Sequence, residues 1–276
     1  MSKIDLDKYY TPIETAKYCI DKTNEIIGVD NITEYLEPSA GNGAFSNHFK
    51  DYNLPYKAFD IAPECDYIKK QDFLKLFISY KKGRCIIGNP PFGDRNKLVV
   101  QFYKKSIKIC DYIAFILPIS QLNNNQSIYK YDLIYSEDLG RRQYSDRKVH
   151  CCFNIYSKPI NIRFNKKINY KDTKIIEIRE IREVIINKNP KRNRELGNFK
   201  YDFAICAWGA SVGKICNKGD FAKTFYIKIK DLNNFKTIKE LILNAKWKSL
   251  YPMTATPNLL QWQVYKYLKE QIPELE

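Results

Sequence analysis

The chain reads as an α/β protein: a Rossmann-like, doubly wound sheet followed by a small C-terminal α+β module. Three observations carry that reading. The apolar run Cys85-Ile86-Ile87-Gly88 is cut by Asn89-Pro90-Pro91-Phe92. Proline cannot donate to a ladder and fixes φ, so the pair ends a buried strand in a rigid loop. Tyr35-Leu36-Glu37 runs into Pro38-Ser39-Ala40-Gly41-Asn42-Gly43-Ala44-Phe45, which reads as a short strand, a turn with two glycines and a helix start. Ala58-Phe59-Asp60 and Lys70-Gln71-Asp72-Phe73 then bring carboxylates to the ends of successive apolar segments. Open α/β sheets bind ligands beyond the carboxyl ends of their strands, so Glu37, Asp60, Asp72 and Asn89 are the first site candidates.

The remaining elements follow in order. Thr11 suits a helix N-cap, Pro12 its first turn, and Glu14 completes a Thr-x-x-Glu capping box. Ala16, Cys19, Ile20, Thr23 and Ile27 then recur at helical spacing. Residues 112–118 and 149–155 read as later strands, with Cys151-Cys152 in the core, and residues 121–126, rich in Asn and Gln, as an exposed loop. Beyond Lys158-Pro159 the pattern becomes Lys-rich alternation. Strands are predicted at 174–179, 203–209 and 224–229, and helices at 237–244 and 259–268, with a polar loop broken by Pro190. These divide the chain into a domain at 1–160 and a module at 161–276.

Composition bounds the function. Hydrophobic residues make up 44% and aromatics 14%, which excludes a disordered chain. No apolar stretch approaches the ~20 residues of a membrane span, and Met1-Ser2-Lys3-Ile4-Asp5 lacks a signal-peptide core. The eight cysteines form no C-x-x-C pair and His48 and His150 lie far apart. No metal site or disulfide framework is therefore expected, and a reducing, cytoplasmic setting is. The net charge is +15, unevenly spread: residues 1–150 carry 22 basic and 19 acidic groups, residues 151–276 carry 24 and 12. Segregated positive charge suits phosphate contacts, and also a generic basic surface.

The motifs have chemistry of their own. An amide oxygen, free carbonyls and a ring at Asn89-Pro90-Pro91-Phe92 make a receptor for a flat heterocycle with an exocyclic amine; a plain Pro-rich turn has the same letters. The turn at Gly41 and Gly43 lacks the third glycine of a dinucleotide fingerprint. Glu37 before it would repel a pyrophosphate and attract an ammonium. Asp60, 23 residues beyond Glu37, stands where a ribose diol is commonly held. Asp72 and Phe73 suit an adenine amino group and its face.

Together these motifs resemble the S-adenosylmethionine-dependent amino-methyltransferases, in particular the DNA adenine-N6 enzymes with the gamma order of motifs. Glu37 to Gly43 is similar to the first cofactor motif, Phe59-Asp60-Ile61 and Gln71-Asp72-Phe73 to the second and third, Asn89-Pro90-Pro91-Phe92 to the catalytic motif, and Tyr9-Tyr10-Thr11-Pro12 to a segment folding over the cofactor's methionine part. The resemblance spans residues 8–158. It implies a methyltransferase sheet and S-adenosylmethionine contacts from Tyr10, Thr11, Pro12, Glu37, Pro38, Ser39, Gly41, Gly43, Phe45, Asp60, Ile61, Asp72 and Phe73. It implies catalysis by Asn89, Pro90, Pro91 and Phe92 without a metal. Its implied partner is duplex DNA with the target base flipped out; the basic distribution, not the resemblance, makes Arg141, Arg142, Lys188, Lys191, Arg192 and Arg194 the candidates for phosphate contact. RNA or ribosomal adenine, a protein glutamine amide, and a non-catalytic nucleic-acid-binding subunit are the rival readings. A cognate restriction nuclease or protein partner is compatible with the first.

Overall fold

The computed structural model describes residues 10–52, 55–124, 126–145, 147–161, 163–186, 189–192, 196–217, 222–253 and 256–273. The chain divides into two compact units, Met1–Lys167 and Ile168–Glu276, against the boundary at 160/161 expected from composition.

The first unit contains α1 (Ile13–Ile27), β1 (Glu34–Glu37), β2 (Tyr56–Asp60), β3 (Lys69–Lys70), β4 (Arg84–Gly88), α2 (Lys97–Ser106), β5 (Tyr112–Pro118), β6 (Asp132–Tyr144) and β7 (Arg147–Ser157). They form one seven-stranded sheet in the order β3-β2-β1-β4-β5-β7-β6. The pairs among β1 to β5 are parallel, whereas β7 is antiparallel to β5 and closes a hairpin with β6. The order reverses direction between β1 and β4, which is the switch point where such sheets leave a crevice.

Strand alternation builds two cores. Cys85, Ile87, Ala114, Ile116, Cys151, Phe153 and Ile155 project to one face, where Ala16, Cys19 and Ile20 of α1 cover them. Ile86, Ile113, Phe115, Leu117, Cys152 and Tyr156 project to the other, under Val99, Phe102 and Tyr103 of α2. A sheet apolar on both faces needs a helix on each, and the fold is accordingly Rossmann-like and doubly wound. Truncating a fully buried residue such as Ile116 or Phe115 to Ala should cost about 2–5 kcal/mol.

Several local expectations are corrected. The N-cap of α1 is Pro12, with no side-chain cap bond, so the Thr11–Glu14 capping box does not form. The glycine turn does not open a helix: residues 41–48 form successive turns leading to a short 3-10 helix, Phe49–Tyr52. Within these turns the main-chain N–H of Ser46 donates to the Glu37 carboxylate at 2.9 Å. The expected exposed loop begins buried: Gln121 is 5% exposed, and its carbonyl accepts from the buried Asn154 side chain at 2.8 Å. Helix α2 and the long strand β6, bulged at Leu133/Tyr135 and Asp138/Gly140, had no counterpart in the sequence reading.

The second unit is an antiparallel sheet of β8 (Ile176–Ile186), β9 (Asn189–Arg192), β10 (Phe203–Cys206) and β11 (Lys223–Ile229), with α3 (Phe235–Asn244), α4 (Trp247–Leu250) and α5 (Gln261–Gln271). Its order is β10-β11-β8-β9. Ile176, Ile178, Phe203, Ile205, Phe225 and Ile227 pack with Ile238 and Ile242 of α3 and Val264 and Leu268 of α5. The polar loop expected around Pro190 includes a strand. Pro190 is tolerated because β9 is an edge, where a missing N–H breaks no second ladder.

Among the described residues no helix is long and apolar enough to cross a membrane, and no cluster of three or more His, Cys, Asp or Glu could hold a metal. All eight cysteines are thiols rather than disulfides.

Candidate active site

The parallel strands deliver four polar side chains to one end of the sheet. Glu37 closes β1, Asp60 closes β2, Asp72 follows β3 and Asn89 follows β4. Between them lies a cavity of about 290 Å³, also lined by Tyr10, Thr11, Pro38, Ser39, Gly41, Phe45, Ile61, Phe73, Pro90, Pro91 and Phe92. The wall is thus a carboxylate-studded rim over proline and aromatic surface, a composition suited to a flat ligand with hydroxyl and amino groups.

Strand β1 shows why one end is chemical and the other structural. It carries two buried glutamates. Glu34, at the amino end, meets Arg84 Nε at 2.5 Å and Lys57 Nζ at 3.1 Å; against the cost of burial, these cations hold its carboxyl below the usual range. Glu37, at the carboxyl end, has no Lys or Arg within ion-pair distance among the described residues. Burial pushes its pKa up to about 8, opposed by main-chain N–H groups of Ser46 and Phe45 and assisted by the charge of Asp60. A buried carboxylate at a cavity wall is a natural counter-ion for a ligand ammonium.

Asp60 and Asp72 are each held by backbone. Asp60 accepts from Gly41 N at 2.8 Å through Oδ2 and from Ala62 N at 2.8 Å through Oδ1, so the β2 carboxylate fixes the turn leaving β1. Gly41 itself has φ +52, and a Cβ there would lie 3.1 Å from the Tyr10 ring; glycine lets Tyr10 close against the turn. Asp72 caps the short 3-10 helix Phe73–Lys75 by accepting from Leu74 N at 2.9 Å.

The Asn89 segment is tied at three points. Asn89 Nδ2 donates to Thr11 Oγ1 at 3.2 Å, and the Ser39 hydroxyl donates to the Asn89 carbonyl at 3.3 Å. The Phe92 carbonyl accepts from Leu98 N and Val99 N at 3.2 and 3.4 Å, anchoring the loop to the first turn of α2. Gly93, at φ +66, allows that close return: a Cβ there would meet Leu98 Cβ at 2.7 Å.

The structure therefore gathers Asn89, Pro90, Pro91, Phe92, Tyr10, Thr11, Glu37, Pro38, Ser39, Gly41, Phe45, Asp60, Ile61, Asp72 and Phe73 around one cavity. Pro12 and Gly43 fall outside its wall. Pro12 caps α1 instead, and Gly43, at φ +83, shapes the turn from behind, with Tyr67 against it. Leu98 and Phe102 of α2 join the wall, as do Leu74, Ala40, Asn42, Ala44 and Ala62. The signal for Leu98 and Phe102 is the apolar spacing in 97–106.

The basic candidates are dispersed. Arg141 is exposed on β6, whereas Arg142 is engaged inside the unit, donating to Thr15 Oγ1 at 2.8 Å and the Leu139 carbonyl at 2.9 Å. Lys191 and Arg192 lie on β9. Lys188 and Arg194 lie outside the described residues.

No protein-family model and no curated protein matches the chain. Solved structures do resemble it. A Pyrococcus horikoshii protein provisionally named an RNA methyltransferase aligns at 17% identity and TM-score 0.45 over 58% of this chain and 91% of its own. The N-methyltransferase NodS of Bradyrhizobium japonicum aligns at 12% and 0.40 over 54% and 98%. The 23S rRNA methyltransferase ErmE aligns at 13% and 0.38 over 55% and 70%. At these values the fold assignment rests on this chain's own strand order.

Proposed function

We propose that the chain is a site-specific DNA adenine-N6 methyltransferase using S-adenosylmethionine. The observation that carries the reading is the position of Asn89: its amide, held by Thr11, stands in the wall of the cavity that Glu37, Asp60 and Asp72 also line. The donor set suits an adenosyl amino acid: a buried carboxylate for an ammonium, a second carboxylate for a ribose diol, and an acid beside Phe73 for the adenine. When bound, S-adenosylmethionine supplies an electrophilic methyl group.

The chain's residues account for the rest. An adenine amino nitrogen is a poor nucleophile because its lone pair is delocalised into the ring. Asn89 Oδ1 and the Pro90 carbonyl are the acceptors for its two N–H groups, drawing the nitrogen toward tetrahedral geometry and freeing the lone pair. Phe92 stacks on the base, which must leave the duplex to reach the cavity; such stacking is worth about 1–3 kcal/mol. The rigid Pro90-Pro91 backbone fixes these groups in advance, so positioning carries much of the barrier reduction. The basic excess over residues 151–276 supports a nucleic-acid substrate.

The test is labelled methyl transfer to duplex DNA, single-stranded DNA, total RNA and protein in parallel, with the product identified by mass. N6-methyladenine in duplex DNA is the expected product. Label confined to RNA or to glutamine would retain the chemistry and replace the substrate.

A further inference from the structure

In the second unit, the sheet face turned away from α3 and α5 is apolar in its middle and cationic at one end. Ile181, Ala204 and Tyr226 form the middle, covered by Leu196 and Phe199. Beyond them a groove of about 410 Å³ is lined by Glu177, Arg179, Asn198, Phe199, Lys200 and Lys228. Register puts these groups together: Lys228 pairs with Glu177, and Tyr226 with Arg179.

The groove has a fixed part and an exposed part. The Arg179 guanidinium lies 4.4 Å from the centre of the Phe199 ring and donates to the Leu196 carbonyl at 2.7 Å. A guanidinium so held keeps further N–H groups in a rigid fork, the form that matches a phosphate. Lys200 and Lys228 are exposed beside it. Glu177, the one acid in the lining, is bound by Lys230 at 2.7 Å; that contact holds its carboxyl below the ordinary range, with Arg179 and Lys228 adding to the effect. Its charge is therefore offset within the cluster, and Arg179, Lys200 and Lys228 leave the groove positive.

We infer that this groove binds the phosphodiester backbone of the nucleic-acid substrate, with Arg179 as the fixed anchor and Lys200 and Lys228 as flanking contacts. The inference rests on the nucleic-acid reading of the function, and goes beyond it by assigning residues other than Arg141, Arg142 and the basic residues of 188–194. A phosphate oxyanion could equally come from a free phosphate, and the experiment separates the two sources.

The experiment uses the full chain and a fluorescein-labelled duplex, with affinity read by anisotropy from 50 to 300 mM chloride. Binding of S-adenosylhomocysteine, the demethylated cofactor, is measured alongside as a check on the first unit. Each phosphate contact contributes about 0.9 to the slope of log affinity against log salt, so Lys200→Gln with Lys228→Gln should lower the slope by about 2. Arg179→Lys should weaken binding across all salt concentrations. S-adenosylhomocysteine affinity should stay unchanged in both variants. An unchanged slope, with wild-type duplex binding intact, overturns the groove assignment alone. Unaltered duplex binding by the lysine variant, together with its loss of inorganic phosphate binding measured directly by calorimetry on the unmodified and substituted chains, overturns the backbone assignment and reassigns the groove to a free phosphate. Failure of the unmodified chain to bind any nucleic acid removes the functional reading beneath it.

Discussion

The Asn89 side chain donates through Nδ2 to the hydroxyl of Thr11, 3.2 Å away and 78 positions earlier in the chain. The bond fixes which end of the amide faces Thr11, and so orients the side chain. It also ties the segment before α1 to the wall of the candidate site.

Thr11→Val keeps the shape and removes the oxygen. Loss of one neutral hydrogen bond of about 1–1.5 kcal/mol should reduce kcat roughly tenfold, and Thr11→Ser should restore most of it. Steady-state kinetics with cofactor affinity measured separately checks this. Equal rates for Val and wild type would mean that Thr11 does not orient the amide.

Glu37 gives the site a pH signature. Burial raises its pKa from 4.5 in the unfolded chain to about 8 in the fold, so the folded state retains a proton that the unfolded state releases. The contribution of this group to stability is therefore full below pH 4.5, falls as pH rises through the window to about 8, and is lost above it. A cationic ligand amine needs the ionised form, so cofactor affinity should rise between pH 6 and pH 8, by at most about tenfold per unit. Glu37→Gln should flatten both the stability and the binding profiles, which calorimetry across that range would reveal. A wild-type binding profile as flat as that of the Gln variant would remove Glu37 from the ammonium site.

Phe92 offers a test of base stacking. Phe92→Ala should lower transfer by about 5- to 150-fold, the equivalent of about 1–3 kcal/mol, while Phe92→Tyr, which keeps the ring, should stay near wild type. Similar losses for Ala and Tyr in single-turnover assays would contradict a stacking role.

The carboxyl ends of the strands were legible because a strand ending on Glu37, Asp60 or Asn89 announces itself by an apolar run meeting an acid, a glycine or a proline. Fifteen of the seventeen cofactor and catalytic candidates line one cavity for that reason. The exceptions, Pro12 and Gly43, shape backbone, and motif spacing does not distinguish a residue that builds a turn from one that faces into it. The Thr11–Glu14 capping box failed because the helix has Pro12, not Thr11, at its N-cap, and the threonine oxygen accepts instead from Asn89 across the fold. Strand β6 was hidden by its bulges, which break the period-two pattern. Arg142 looked like a phosphate contact, yet its guanidinium bonds to Thr15 and Leu139. Local sequence carries no sign of such a long-range tie.

The most direct test of the account is Asn89→Ala, assayed for both methyl transfer and cofactor binding. Loss of an acceptor acting on developing charge should lower kcat by about 100- to 1000-fold, with cofactor affinity within a few-fold of wild type because Glu37, Asp60 and Asp72 are untouched. A parallel collapse of cofactor binding, or near-normal transfer without the amide, would contradict the assignment of Asn89 as the group that activates the target amine.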